Sequence, residues 1–175
     1  MKLAALSPQE VANCLPQLMS AYRAMYLMGP DEGHGYAAEL IDCSQRAGFR
    51  LAAALDDDGE HVLGFGMGFT GLAGQLWTDC LISAVDPEAA DEWLIGHFEF
   101  AQFGVVPHAR RRGVATAVYD VLFDGLPHDR AILTVLESNL PARAFYDARG
   151  WTTVHREFFS PSGLGPYRLM GRRFP

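Results

Sequence analysis

Short apolar runs bounded by turn residues predict the strands of this chain. They lie at 2–6, 49–55, 61–70, 97–105, 131–136, 151–159 and 167–173. Apolar residues at helical spacing predict helices over 8–28, with a kink near Pro16, and over 36–47, 114–126 and 141–149. Ser7 stands before Pro8 and three residues before Glu10, which is the pattern of a capping box at the first helix. Residues 72–96 mix strand-like and helix-like pieces, and the pattern assigns no element there.

The order of these elements indicates the fold class. A hairpin occupies the first half of the chain, while helices alternate with strands in the second half, and this mixture favours a layered α/β arrangement. We therefore expect a single domain over residues 1–175, with a mixed central sheet of six to seven strands flanked by about four helices.

The composition of the chain argues against nucleic acid and membrane as binding partners. The net charge is −7 and Lys2 is the only lysine, so the chain lacks the broad positive surface that nucleic acid requires. No apolar run approaches the roughly 20 residues that span a bilayer. The first residues also lack the long apolar core of a signal peptide. We expect a cytoplasmic protein that binds neither nucleic acid nor membrane, with a homodimer as an open alternative to a monomer.

Other motifs are excluded by their spacing or position. The three cysteines, Cys14, Cys43 and Cys80, have no metal-type spacing, and the six histidines form no HExxH cluster, so we expect no metal. Residues 66–71 satisfy the dinucleotide-binding pattern GxGxxG. These glycines lie inside a predicted strand instead of at a strand-to-helix turn, which argues against a dinucleotide site.

Three consecutive arginines, Arg110, Arg111 and Arg112, form a basic island in an acidic chain. They follow a predicted strand and precede Gly113, which opens a predicted helix. The free N–H groups and the dipole at a helix start favour an anion, and a glycine there lets the anion approach the backbone. The segment therefore predicts a site for a diphosphate.

Two blocks of this sequence resemble motifs of the GNAT acetyltransferases. Arg110, Gly113 and Ala115 match the pattern [RQ]-x-x-G-x-[GA], and they follow a strand that ends in Val-x-Pro at residues 105–107. Residues 139–151 match N-x-x-A-x-x-x-Y-x-x-x-G-[FW]. The resemblance places the cofactor motif at about 99–126 and the second motif at about 131–151.

The resemblance implies that acetyl-CoA is the cofactor. Backbone groups of Phe103 and Val105 would pair with the pantetheine arm, and the Val105 N–H would polarise the thioester carbonyl. Backbone N–H groups over residues 111–115 would hold the diphosphate, and Asn139 would contact the cofactor from the other side. The full set of implied cofactor residues is Phe103, Gly104, Val105, Arg110, Arg111, Arg112, Gly113, Val114, Ala115, Thr116, Asn139, Ala142 and Tyr146.

Two residues are candidates for proton transfer. Tyr146 stands where the family often places the acid that protonates the CoA thiolate, and this position favours the acid over the alternative of a core tyrosine on a helix face. Glu99 stands where some family members carry a catalytic base, with a water-exposed glutamate near a strand end as the alternative. Alternation would put His97, Glu99 and Phe103 on one strand face, and His97 is the weaker candidate for the base.

The residues expected near the acceptor indicate its chemical class. Aromatic and acidic residues in the early helices and before the cofactor motif suit a cationic amine; the candidates are Tyr22, Tyr26, Trp77 and Asp79. We expect an enzyme that transfers acetyl from acetyl-CoA to a primary amine of a small polar molecule by direct attack in a ternary complex. The alternatives are a catalytically silent acyl-CoA-binding module and a protein or peptide N-acetyltransferase.

Overall fold

In the computed structural model the chain is described over residues 1–29 and 31–175, with the backbone alone for His34. Its elements, in chain order, are β1 (Lys2–Ala5), α1 (Pro8–Asn13), α2 (Leu15–Tyr26), α3 (His34–Ser44), β2 (Arg50–Leu55), β3 (Val62–Thr70), α4 (Leu76–Ala84), α5 (Pro87–Trp93), β4 (Phe98–Val105), α6 (Val114–Phe123), β5 (Arg130–Leu136), α7 (Leu140–Asp147), β6 (Thr152–Phe158) and β7 (Tyr167–Arg173). A single 3-10 turn over Pro107–Ala109 connects β4 to α6.

The chain divides into two compact units. The first comprises Met1–Phe69 and Phe100–Leu126, and the second comprises Thr70–Glu99 and Pro127–Pro175. Strand β4 contributes to both, because its first two residues belong to the second unit and the rest to the first. The prediction of a single domain over residues 1–175 stays a prediction.

In the first unit the strands follow the order β1-β2-β3-β4, and β2 pairs antiparallel with both β1 and β3. Helix α6 carries its apolar side chains at i, i+4 spacing, and Val114, Val118 and Leu122 are all buried. Full burial of an aliphatic side chain contributes about 1.5–3 kcal/mol. Packing of this face therefore fixes where the start of α6 lies.

In the second unit the order is β4-β5-β7-β6. The start of β4 pairs parallel with β5 at Phe98↔Ala131 and Glu99↔Ile132, while β7 pairs antiparallel with both β5 and β6. Helices α4 and α5 cover an apolar cluster; its buried members are Leu81, Ala90, Leu94, Ile132, Phe158 and Leu169. The mixture of parallel and antiparallel pairs confirms the predicted α/β class with a mixed sheet.

The described residues form seven α-helices, where the sequence predicted about four. The first predicted helix is divided at Cys14, and Pro16 lies in the first turn of α2, where its missing N–H costs nothing. Helices α4 and α5 fill the stretch that the pattern left unassigned. The predicted capping box is confirmed, since the Ser7 hydroxyl accepts from the Glu10 N–H and the Glu10 carboxylate accepts from the Ser7 N–H.

No helix within the described residues has both the length and the apolar character to cross a membrane.

Candidate cofactor and active site

The start of α6 is an open helix terminus. Its N-cap is Gly113, with φ +81°, and no side chain of the described residues caps it. The first turn of α6 carries no acidic residue, and a Cβ added at Gly113 would meet nothing within 4 Å. The N–H groups of a first helical turn have no partner within the helix. This terminus therefore presents backbone donors and a positive dipole end to open space.

The loop before α6 has an unusual backbone conformation. Arg111 has φ +61°, a value that disfavours residues other than glycine, and Gly113 follows two positions later with a second positive φ. Residues held in such conformations cluster at functional sites, because left-handed turns aim successive N–H groups into one concavity. The Arg111 and Arg112 side chains are exposed beside this concavity and add positive charge.

Arg110 turns its side chain back to the protein backbone. Its guanidinium donates to the Val105 carbonyl at 3.0 Å and to the Met25 carbonyl at 3.1 Å. Its backbone N–H donates to the Pro107 carbonyl at 3.3 Å. Arg110 therefore anchors the loop, so the prediction that it adds charge for phosphates applies better to Arg111 and Arg112.

Strand β4 presents two peptide groups that suit the pantetheine prediction. The Val106 N–H donates to the Leu63 carbonyl of β3 at 2.9 Å. Peptide groups alternate in direction along a strand, so those of Phe103 and Val105 point away from β3. Gly104 lies between them, and a Cβ there would come within 2.6 Å of the Met25 sulfur. Gly104 is thus required for packing against α2 and offers only its backbone to a ligand.

The residues of the second motif lie around α7. Asn139 is the N-cap of this helix, and its side-chain oxygen accepts from the Ala142 N–H at 3.3 Å. Tyr146 is 7% exposed, and its ring lies 6.0 Å from the ring of Trp151. The burial of Tyr146 agrees with a core position, which does not by itself remove its hydroxyl from the chemistry. Asn139 keeps its amide nitrogen available for a ligand.

Glu99 is buried, with 4% exposure, which excludes the alternative of a water-exposed glutamate. Its Oε2 accepts a hydrogen bond from the Thr78 hydroxyl of α4 at 3.3 Å. Alternation along the strand did not anticipate this burial, because Phe98, Glu99 and Phe100 are all buried at the start of β4. Thr78 was missed because it lies in the unassigned stretch 72–96.

Two of the substrate candidates form an aromatic cluster in the first unit. Tyr22 stacks on Tyr36 with ring centroids 3.7 Å apart, and it lies 4.9 Å from Tyr26. Tyr26 is half exposed, and its hydroxyl accepts from the Gln102 side chain at 2.9 Å. Burial raises the pKa of Tyr22 and of Tyr36, and the negative charge of Glu39 adds to both shifts. These rings therefore stay uncharged beside a carboxylate.

The other two substrate candidates have structural partners in the second unit. Trp77 packs edge-on against Phe158 and Tyr167 at the apolar cluster. The Asp79 carboxylate accepts from the Gly74 N–H at 2.9 Å and so holds the turn before α4. Both side chains therefore have structural partners, and their role as substrate contacts stays a prediction.

A cavity of about 840 Å³ lies in the first unit beside the loop that precedes α6. It is lined by α2, by the β2–β3 turn and by part of the loop, including Arg112. Asp56, Asp57 and Glu60 line its turn side. Val114, the first residue of α6, also lines the cavity, so the cavity opens beside the uncapped helix terminus, and the negative charges on its turn side would oppose a diphosphate there.

Comparisons with known proteins identify the family and the fold. The Acetyltransferase (GNAT) family matches residues 15–151. A GCN5-like protein acetyltransferase of Mycobacterium tuberculosis is 24% identical over 147 residues, which cover 79% of this chain and 70% of that protein. The crystal structure of aminoglycoside 6'-acetyltransferase type Ii has a TM-score of 0.70 at 14% identity, covering 100% of this chain and 99% of that one. Arabidopsis thaliana NAA60 in complex with acetyl-CoA has a TM-score of 0.62 at 16% identity, covering 99% and 98%.

The uncapped helix terminus, the glycine that opens it and the outward peptide groups of β4 together fit a diphosphate with an amide-bearing arm. The family match spans both sequence motifs and more than half of the chain. This protein belongs to the GNAT family of acetyltransferases, whose cofactor is acetyl-CoA.

Proposed function

We propose that this enzyme transfers the acetyl group of acetyl-CoA to the primary amine of a small, polar, cationic molecule, by direct attack in a ternary complex. The observation that carries the cofactor half is the uncapped, glycine-opened start of α6. The observation that carries the acceptor half is the uncharged tyrosine cluster beside Glu39.

The cofactor contributes an activated thioester, and the chain's own groups act around it. The N–H groups of residues 111–115 bind the diphosphate, with Arg111 and Arg112 adding positive charge. Peptide groups of Phe103 and Val105 orient the pantetheine arm, as an added strand would be oriented. The Val105 N–H donates to the thioester oxygen as negative charge develops there; removal of one such donor typically costs about 3 kcal/mol of barrier.

Two side chains handle protons in this proposal. Glu99 takes the proton that the amine loses, since a glutamate carboxylate can act as a general base. Tyr146 donates its hydroxyl proton to the departing sulfur. Asn139 contributes its amide nitrogen to the cofactor, and Ala142 keeps the adjoining helix surface small.

The acceptor is recognised by charge and by aromatic faces. Tyr22 and Tyr26 offer π-faces that attract a cation, and Glu39 supplies the opposite charge. Cation–π contacts at exposed sites contribute about 0.5–1 kcal/mol, which is roughly a two- to fivefold change in binding.

A panel assay that follows thiol release tests this function. Small diamines and aminoglycosides, peptides with a free N-terminus, and acetyl-CoA alone form its three arms. Turnover with the first arm supports the proposal, turnover with peptides alone indicates a protein acetyltransferase, and binding of acetyl-CoA with no turnover indicates a silent module. Tyr26→Leu should raise KM for the amine two- to fivefold, while the matched Tyr26→Phe, which keeps the ring, should not.

The protein-acetylating alternative has its own support, since the Mycobacterium tuberculosis relative is described as a protein acetyltransferase. A cytoplasmic location and a homodimer stay predictions. Light scattering at micromolar concentration would separate monomer from dimer.

A further inference from the structure

The second unit contains a histidine whose ring is sealed from solvent and has no hydrogen bond. His97 is 0% exposed, and neither Nδ1 nor Nε2 has a partner among the described residues. A neutral imidazole carries one N–H donor and one lone-pair acceptor, and leaving both unsatisfied in a buried site costs stability. Such a group requires an explanation beyond packing.

The ring lies next to the one carboxylate that the proposed function uses. His97 Nε2 is 3.9 Å from Glu99 Oε2, and the side chains are 0% and 6% exposed. This separation is about 1 Å longer than a charge-assisted hydrogen bond, so the two atoms would have to approach by about 1 Å to bond. The same carboxylate oxygen accepts from the Thr78 hydroxyl.

The surrounding backbone leaves room for this ring at a defined position. A Cβ added at Gly71 would lie 2.1 Å from His97 Nε2 and 2.3 Å from Cε1, so only glycine fits there. The Gly71 N–H donates to the His97 carbonyl at 2.9 Å, which fixes the two segments together. The absence of a side chain at Gly71 therefore leaves the space that the His97 imidazole occupies.

We propose that His97 is a positioning residue that receives, through Nε2, the proton that Glu99 takes from the amine. The Glu99 O–H bond breaks with its electron pair left on Oε2, and the Nε2 lone pair forms the new N–H bond. A carboxylate and an imidazolium replace a neutral pair, so Glu99 is again ionised. After the products leave, the Nε2–H bond breaks, the proton returns to Glu99 Oε2 and passes from Glu99 to water, which restores the neutral imidazole. This inference rests on the proposed function, because it needs Glu99 as the proton acceptor.

Other titratable side chains lie on the elements of the second unit that surround the start of β4. They are Asp79 and Cys80 on α4, Glu88, Asp91 and Glu92 on α5, Arg130 on β5, and His128 just before β5. Glu92 pairs with Arg173 at 2.9 Å. Asp79 is held by the Gly74 N–H, Arg130 by the Asp129 carboxylate, and His128 Nε2 by the Thr70 hydroxyl. Glu99 is the carboxylate within 4.0 Å of the His97 ring among the described residues.

The first test needs no substrate. Nitrogen-15 NMR of histidine-labelled protein compares the Nε2 chemical shift of His97 in the wild type and in Glu99→Gln. The variant removes the carboxylate that lies 3.9 Å from Nε2, so we expect the Nε2 resonance to move. Equal Nε2 chemical shifts in the two proteins would overturn the coupling.

The second test is kinetic and uses the best amine of the panel. His97→Gln keeps a polar side chain but cannot accept a proton, and we expect kcat to fall about tenfold with both KM values within about twofold. In the Glu99→Gln background the same change should have no further effect, because His97 acts through Glu99. His61→Gln, an exposed histidine on the β2–β3 turn, serves as the control and should match the wild type.

Unchanged kcat in a folded His97→Gln protein would overturn the proposal, as would an equal loss in the Glu99→Gln background. Should the wild type acetylate no amine, the proposed function fails, and that outcome is separate from the NMR result. An unchanged Nε2 chemical shift rejects the His97–Glu99 coupling in an active or an inactive protein alike.

Discussion

Replacing Gly113 with aspartate tests whether the start of α6 binds a diphosphate. The added side chain meets open space, since nothing lies within 4 Å of its Cβ. The positive φ of +81° penalises any side chain, and Asn and Asp tolerate it best. Gly113→Asn is therefore the matched control, because it has the same size and backbone penalty but no charge.

The magnitude follows from Coulomb's law. At a separation of about 6 Å, with an effective dielectric constant of about 40 for a surface site, two unit charges repel by about 1.4 kcal/mol. Two phosphate charges give about 2.8 kcal/mol, or roughly a hundredfold weaker binding. Screening over a Debye length of about 8 Å reduces this to about tenfold at 0.15 M salt.

Calorimetry with acetyl-CoA measures the dissociation constants of both variants at low and at physiological salt. An acidic residue at a helix N-terminus stabilises the helix, so Gly113→Asp should melt no lower than Gly113→Asn while binding the cofactor more weakly. Because the variant that is at least as stable is expected to bind acetyl-CoA more weakly, a loss of affinity cannot be attributed to a loss of stability. Equal dissociation constants for the two variants, or a ratio independent of salt, would refute the placement of the diphosphate.

Tyr146→Phe should lower kcat by about 10- to 100-fold with the acetyl-CoA dissociation constant unchanged, and equal turnover would remove this hydroxyl from the mechanism. Gly71→Ala should lower the free energy of unfolding by about 1–3 kcal/mol through the clash of its Cβ with His97, and denaturant titration should show part of this loss restored by adding His97→Ser. Hydrogen bonds from Arg168 hold the pKa of Glu137 below its ordinary value, so the ionised Glu137 stabilises the fold above the unfolded-state pKa and this contribution is lost as the pH falls through the lowered value. The melting-temperature gap between wild type and Glu137→Gln should therefore be wide at neutral pH and close as the solution is acidified, whereas a constant gap would contradict the linkage.

The sequence predicted the strands well because each is a short apolar run closed by turn residues. Predicted bounds of 61–70 and 167–173 compare with Val62–Thr70 and Tyr167–Arg173 in the structure. The stretch 72–96 was missed for a physical reason. Helix α4 is apolar around most of its surface, with Leu76 exposed and Leu81 buried, so no single face stands out as a helical stripe.

The candidate site was predictable where backbone geometry decides and unpredictable where side-chain packing decides. Gly113 at a strand-to-helix turn predicts the uncapped helix terminus. Its positive φ is a conformation that few other residues adopt, so a glycine at this point in the sequence is informative. The burial of Glu99 depends on α4, which the pattern did not assign. The bond from Gln102 to Tyr26 joins residues 76 positions apart, a separation at which hydrophobic periodicity carries no information.

Arg110 matches the family motif, but its side chain binds backbone carbonyl oxygens and not a phosphate site. The family pattern accepts arginine or glutamine here, and only arginine is charged. Both side chains can donate hydrogen bonds to carbonyl oxygens, which is what Arg110 does toward Val105 and Met25. A requirement for donors explains the pattern, whereas a requirement for phosphate charge would exclude glutamine. The carbonyl that Arg110 binds on β4 belongs to Val105, and the Val105 N–H that the proposed chemistry uses lies in the preceding peptide group. Arg110 therefore holds the end of β4 next to that donor.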